Sequence, residues 1–214
     1  MILAAGRGER MMPLTENLPK PLLLAHGVPL IEHRIVALEK AGITDIVINL
    51  HYLGQQIKDY LGNGKRLGVN IKYIFEIDLL ETAGGIVNAL PLLGTEPFLI
   101  VPSDTLMDFD FSKIKPLPEG SQAHLVLVRN PEHHPEGDYA IMDDGKLSLD
   151  GEKLTYSAVA LYSPDYFTNL TPGRRLLRDL FEKTIEQGIV TGEFFDGYWI
   201  DVGTPERLKE INQS

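Results

Sequence analysis

Leu3-Ala-Ala-Gly-Arg-Gly-Glu-Arg-Met-Met-Pro-Leu-Thr15, followed by Leu18-Pro-Lys-Pro-Leu22, is the stretch that decides the architecture. The apolar residues Ile2 to Ala5 predict a short buried strand that runs into a glycine-rich loop, Gly6 to Gly8. A loop of this kind lets backbone N–H groups approach phosphate oxygens closely, and nearby cationic side chains balance the charge. Arg10 can fork onto two phosphate oxygens. Lys20 offers a compact point charge between two prolines that limit backbone freedom.

Outward from this loop the chain alternates between the two periods. Leu30 to Ala41 reads as a helix, with Ile31, Ile35 and Leu38 on one face and Gly42 as its stop. Ile43 to Asn49 reads as a strand, Gly54 to Leu61 as a helix and Val69 to Phe75 as a strand. Thr82 to Leu90 follows as a helix and Phe98 to Val101 as a buried strand. Such alternation predicts an α/β fold, a Rossmann-like, mainly parallel mixed sheet with helices on both faces. The rhythm then changes. His124 to Val128, Tyr139 to Met142 and Leu154 to Tyr162 read as strands, with an Asp144-Gly145 hairpin turn between the second and third. Arg174 to Gln187 is an amphipathic helix ended by Gly188. Tyr198 to Asp201 is a strand, and a helix starts at Pro205 with Thr204 as its N-cap. One domain over residues 1–214 is expected, its second half extending the sheet and walling the strand ends where open α/β sheets bind ligands.

Composition narrows the function classes. The 214 residues are 43% hydrophobic and hold no apolar run long enough for a bilayer span. The apolar start is too short, and lacks the basic leader, for a secretory signal. With no cysteine, disulfides and thiolate metal sites are excluded, and the cytoplasm is the default compartment. A net charge of −10 argues against nucleic acid or an anionic membrane as partner. In the first twenty residues, however, Arg7, Arg10 and Lys20 outnumber Glu9 and Glu16, which suits a small anionic ligand.

Two acidic motifs lie far downstream. Pro102-Ser103-Asp104 directly follows a buried strand, and Tyr198-Trp-Ile-Asp-Val-Gly-Thr-Pro-Glu206 carries Asp201 ahead of a glycine turn. With the opening loop, these make the sequence resemble the sugar-nucleotide pyrophosphorylase family, whose signature runs Gly-x-Gly-x-Arg-Met/Leu-x-Pro-Leu-Thr and then Pro-Lys-Pro. The first 22 residues follow it almost without departure. The resemblance implies the nucleotide-diphospho-sugar transferase fold and an enzyme that joins a nucleoside triphosphate to a sugar 1-phosphate, releasing pyrophosphate. It implies that Arg10 grips the departing β- and γ-phosphates, that Lys20 stabilises charge around the α-phosphorus, and that Leu3, Ala4, Ala5, Gly6 and Gly8 line the nucleotide. Asp104 and Asp201 are implied ligands of Mg²⁺, an ion that takes one or two carboxylates plus substrate phosphates. Ser103 stands where the family commonly has glycine.

The family reads its base at two further places, matched here by Tyr73-Ile-Phe-Glu76 and Leu80-Glu-Thr-Ala-Gly84. Glu76 is the implied base-reading side chain, with Glu81 and Thr82 beside the nucleotide. A carboxylate accepts from uracil N3–H or from the N1–H and 2-amino group of guanine, which points to UTP or GTP. Leu80-Glu-Thr-Ala-Gly-Gly-Ile86, His51-Tyr-Leu-Gly-Gln-Gln-Ile57 and Asn130-Pro-Glu-His-His-Pro-Glu-Gly-Asp138 resemble the uridylyltransferase branch that serves cell-wall recycling. That branch implies UTP and N-acetylmuramate 1-phosphate as substrates, with Gly137 and Asp138 lining the sugar. Mannose 1-phosphate guanylyltransferases share several of these motifs. The left-handed β-helix domain of many relatives has no counterpart in these residues, so no acyl transfer is implied.

Other residues take plainer readings. His133-His134 lacks the spacing of a helical metal pair and reads as a surface loop. Asp108 and Asp110 point to solvent, Trp199 packs, and Arg174-Arg175 is a solvated pair. A Rossmann dehydrogenase is discounted because Met11 occupies the third glycine position. A cytidylyltransferase shares the glycine loop but lacks Pro-Leu-Thr and Asp-Val-Gly-Thr-Pro. A catalytically silent nucleotide-sugar sensor is the rival from another class.

Overall fold

The β-branched and apolar runs become strands, and the 3.6-residue patterns become helices, in a computed structural model that describes residues 1–213. In chain order the first elements are β1 (Ile2–Leu3), β2 (Leu24–Ala25), β3 (Val28–Pro29), α1 (Leu30–Lys40), β4 (Asp45–Leu50), α2 (Gly54–Leu61) and β5 (Asn70–Phe75). Next come α3 (Glu81–Leu93), β6 (Phe98–Pro102), β7 (Thr105–Met107), β8 (Ala123–Val128), β9 (Ala140–Ile141) and β10 (Leu147–Ser148). The last are β11 (Thr155–Tyr162), α4 (Leu177–Glu186), β12 (Val190–Phe194), β13 (Trp199–Asp201) and α5 (Pro205–Gln213). The chain forms two compact units. One comprises residues 1–79, 102–114 and the segment from 198 onward, and the other residues 80–101 and 115–197.

Unit one is built on parallel pairing. β1 runs beside β4, with Ile2 opposite Ile48 and Leu3 opposite Asn49, and β4 runs beside β5 from Asp45–Asn70 to Leu50–Phe75. Helix α1 buries Leu30, Ile31, Ile35 and Leu38, the spacing that the sequence predicts. An antiparallel ladder joins β7 to β13, with Asp201 opposite Thr105. Met11, Leu23, Ala25, Leu30, Leu106, Val202, Leu208 and Ile211 form one buried cluster. The loop, the β7–β13 ladder and α5 therefore share a core. Thr204 Oγ1 accepts from the Arg207 N–H at 3.4 Å, as an N-cap does.

Unit two is mixed. β11 pairs antiparallel with both β6 and β8, and β12 pairs parallel with β8. Its interior is aromatic: Phe98, Tyr162, Tyr166, Phe167 and Phe181 pack with ring centroids 5.1–6.5 Å apart.

Two expectations are corrected, and one strand goes unpredicted. The Asp144-Gly145 turn does not join the second and third strands of that region; it closes a small hairpin between β9 and β10, with Leu147 opposite Ile141, and β11 starts afterwards. The predicted helix from Arg174 begins only at Leu177, because the preceding backbone is already engaged. Arg175 N–H donates to Leu80 O, and Arg175 O accepts from Ala83 and Gly84 N–H, which satisfies the open start of α3. β12 carries no alternating signal. Gly192 sits mid-strand because a Cβ there would lie 2.6 Å from Leu147 Cδ2.

Candidate active site

The opening loop is held by its own anchors. Gly8 is left-handed (φ 65°), and a Cβ there would lie 3.1 Å from both Lys20 Cβ and Thr15 Cγ2. Its carbonyl accepts from Met11 N–H at 2.9 Å and Thr15 Oγ1 at 2.8 Å, so Thr15 is buried scaffold. Tyr52 Oη donates to Thr15 O and Glu16 O, and Gln56 Nε2 to Asn17 O, tying the far side of the loop to α2 and its approach. At Gly6 the space a Cβ would enter is open, with no heavy atom within 4 Å. Arg10 is exposed beside it along the chain. The loop is anchored by hydrogen bonds from Gly8 to Asn17 and open at Gly6.

The two distant aspartates meet this loop. Ser103 N–H donates to Leu3 O, which sets the Pro102-Ser103-Asp104 turn at the end of β1. Lys20 Nζ lies 2.5 Å from Asp104 Oδ2. Val202 N–H donates to Asp104 O at 2.9 Å, so the Asp201 segment runs directly beside Asp104. The Asp201 carboxylate accepts from Arg207 Nη1 at 2.6 Å through each oxygen. Gly203 explains its own presence: a Cβ there would fall 2.7 Å from Asp201 Oδ2, 2.8 Å from Arg207 Nη1 and 3.6 Å from Arg10 Nη1. Arg10, Arg207 and Asp201 thus crowd around one glycine, and Lys20 and Asp104 around the adjoining turn. Nothing in the spacing of Arg207 announced it, apart from its place in the first turn of α5.

A third group stands at the ends of β4 and β5. Glu76 is 6% exposed, and its Oε1 accepts from Asn49 Nδ2 at 2.7 Å. Asn49 Oδ1 in turn accepts from Ala4 N–H at 3.0 Å, so the Ala4 amide serves the network rather than standing open. His51 Nδ1 lies 3.0 Å from Glu76 O, and Glu76 N–H donates to Leu50 O. Asn49 escapes sequence reasoning because a strand residue shows its partner only once the strands are paired, and the motif that opens with His51 gives no sign of its contact with Glu76. Ala5 is buried behind Gly6.

The remaining expected site residues lie in unit two. Glu81 adopts φ 60° and its carboxylate accepts from Arg174 Nη2 at 2.6 Å, so Arg174 is an ion-pair partner and not simply solvated. Thr82 is half-buried at the start of α3. Gly137 is left-handed, and a Cβ there would lie 2.8 Å from Asn130 Oδ1 and from the Lys153 carbonyl. Asp138 accepts from Tyr156 N–H at 2.8 Å and faces His134 Nε2 at 3.2 Å. Asp138 therefore ties the 130–138 loop to β11, and Gly137 lets the loop pass close to Lys153. Asp108 and Asp110 are exposed, and Trp199 is half-buried with its indole N–H enclosed and without a hydrogen-bond partner.

The donor set around Asp104 and Asp201 fits Mg²⁺. Both supply hard oxygen, and among the described residues no group of three or more His, Cys, Asp or Glu is gathered to enclose a metal alone. Magnesium is held by one or two carboxylates, with phosphates and water completing its octahedron. Lys20 and Arg207 already balance the two carboxylates. An ion with a triphosphate can then enter without leaving a buried charge unpaired.

Residues 1–152 match the family described as Nucleotidyl transferase. The chain is 48% identical to N-acetylmuramate alpha-1-phosphate uridylyltransferase of Neisseria meningitidis, over 98% of this chain and 95% of that protein. It is 30% identical to the protein of the same name from Caulobacter vibrioides, over 96% and 92%. Mannose-1-phosphate guanyltransferase beta-A of Xenopus laevis is 28% identical over 96% of this chain, which spans 61% of that protein. Among solved structures, HddC from Yersinia pseudotuberculosis complexed with GMP-PN shares the fold, with a TM-score of 0.82, 22% identity and coverage of 99% and 96%.

Proposed function

The chain belongs to the nucleotidyl transferase family, and from that premise we propose that it transfers the uridylyl group of UTP to N-acetylmuramate 1-phosphate, giving UDP-N-acetylmuramate and pyrophosphate. The observation that carries the reading is the meeting of Arg10, Lys20, Asp104 and Asp201 around the opening loop. The near full-length likeness to a uridylyltransferase selects the base and the sugar. Buried Glu76, oriented by Asn49, is the acceptor for uracil N3–H.

An oxygen of the sugar 1-phosphate attacks the α-phosphorus in line, opposite the pyrophosphate. The attacking group is already a dianion for much of the neutral pH range, so no general base is needed. Catalysis consists of positioning two anions and neutralising the charge that develops. Arg10 holds the β- and γ-phosphates. Lys20, fixed against Asp104, faces the α-phosphate. Asp104 and Asp201 would hold Mg²⁺, which supplies further neutralisation when bound. Gly137 and Asp138 are assigned to the sugar, and the whole chain to one catalytic domain. Among the described residues no helix is long and apolar enough to cross a membrane, and the proposed site of the reaction is the cytoplasm, returning a cell-wall sugar to activated form.

A second reading, GTP with mannose 1-phosphate, draws on the guanyltransferase likeness and on the same carboxylate, which suits guanine too. Pyrophosphate release from four nucleoside triphosphates against a panel of sugar 1-phosphates separates them. UTP with N-acetylmuramate 1-phosphate gives the fastest release in the first reading. Faster release with GTP and mannose 1-phosphate replaces it by the second, and no release from any pair leaves a silent nucleotide-sugar sensor.

A further inference from the structure

Arg34 is 2% exposed in the middle of α1, and the mechanism above gives it nothing to do. A guanidinium is tolerated out of water only where hydrogen bonds and an opposing charge compensate. Burial lowers its pKa to about 10, and the field of the Asp104 carboxylate works against that fall. Arg34 Nη2 donates to Thr105 O at 2.8 Å and to Thr105 Oγ1 at 2.9 Å, and its guanidinium lies 5.4 Å from the centre of the Phe111 ring. Among the described residues its Nε is enclosed without a hydrogen-bond partner, and its side-chain hydrogen bonds run to Thr105.

The position of Thr105 gives this contact its meaning. Thr105 follows Asp104 in the chain and lies opposite Asp201 in the β7–β13 ladder. The bond from Val202 N–H to Asp104 O makes Thr105 and Asp201 a non-hydrogen-bonded antiparallel pair. The Thr105 carbonyl therefore turns away from β13, and Arg34 supplies the donor it would otherwise lack.

We infer that Arg34 is a positioning residue for the metal site: by fixing Thr105 through both carbonyl and hydroxyl, it sets the spacing at which Asp104 and Asp201 present their carboxylates. This rests on the reading that those aspartates hold the divalent ion. Arg34 acts through Thr105, as outer-shell groups do when they orient ligands.

The test is Mn²⁺ binding, followed by electron paramagnetic resonance of the free ion, in the presence of a non-hydrolysable UTP analogue. Arg34→Met is expected to raise the Mn²⁺ dissociation constant about tenfold, in the range typical of outer-shell changes, with Arg34→Lys recovering part of the loss. Thr105→Val keeps the volume and removes one of the two acceptors. It is expected to give a smaller rise, and it decides the matter if Arg34→Met fails to fold. The Mg²⁺ dependence of pyrophosphate release should shift in parallel. Unchanged Mn²⁺ affinity in folded Arg34→Met, or in Thr105→Val should the former not fold, overturns the inference, whatever happens to the melting temperature. Wild-type protein that binds no Mn²⁺ beside the nucleotide overturns the metal reading itself, and the inference with it.

Discussion

The two units use their buried polar groups in opposite ways. In unit one, Arg34, Asn49, Glu76 and Ser103 are buried within networks that end on the Leu3–Ala4 backbone ahead of the opening loop or on Thr105 beside Asp104. In unit two the enclosed polar groups are uncharged, the side chains of Thr155, Ser157, Thr184 and Thr191 together with phenols. Burial drives the hydroxyls of Tyr139, Tyr156, Tyr162 and Tyr166 upward, away from ionisation, and they serve as aromatic packing. One unit buries charge beside the opening loop, and the other keeps charge out of its core. Substitutions at the opening loop's charged groups and at the aromatic core should therefore fail differently: loss of function with the fold kept in unit one, loss of stability in unit two.

The largest effect expected is on stability. Phe181 lies 5.4 Å from Tyr156 and 5.7 Å from Tyr139, edge to face, and is almost wholly buried. Phe181→Ala should destabilise by about 3–5 kcal/mol, read by urea denaturation, as large aromatic truncations do. A loss under about 1 kcal/mol would mean that the cluster packs loosely. Lys20→Ala comes next and should lower turnover at least about a hundredfold while circular dichroism stays unchanged, on the scale of about 3–4 kcal/mol for one lost oxyanion-type donor. Near-normal turnover would remove Lys20 from the mechanism.

The contrast also explains what the sequence makes legible. Arg10, Lys20, Asp104 and Asp201 can be picked out because each sits in a short string whose glycines and prolines are needed where they stand, as the crowding at Gly203 and Gly8 demonstrates. The β–α alternation of the first hundred residues likewise marks the fold, down to the bounds of α2. Asn49 and Arg207 matter only through partners brought by tertiary pairing, so their own neighbourhoods carry no sign of them. Arg34, two residues beyond Glu32 on α1, looks like an ordinary solvated helix charge. In unit two the start of α4 is misread because Arg174 and Arg175 fit an amphipathic pattern, yet Arg175 caps α3 through its backbone. Periodicity records side chains, and that contact uses none.

A smaller effect sharpens the comparison within unit one. Glu76→Gln keeps an oxygen to accept from Asn49 Nδ2 but removes the charge, so the fold should hold. The KM for UTP should rise about tenfold, near the 1.4 kcal/mol expected for a hydrogen bond that loses its charged acceptor. An unchanged KM would place the base elsewhere. Smallest of all is Arg129→Ala, which breaks an exposed pair with Asp196 at 2.6 Å. Neither melting temperature nor turnover should move measurably, since exposed ion pairs contribute little. A clear drop in turnover would give unit two a further charged group, besides Asp138, that acts on the reaction.

The claim beneath all of this is that the loop at Gly6 to Gly8 and the carboxylates of Asp104 and Asp201 hold one triphosphate with its ion. Anomalous diffraction from crystals grown with Mn²⁺ and a non-hydrolysable UTP analogue addresses it directly. The account predicts one manganese peak in contact with both carboxylates, with the β- and γ-phosphates against the loop and Arg10. A peak away from either aspartate, or a triphosphate lying off the loop, would contradict it.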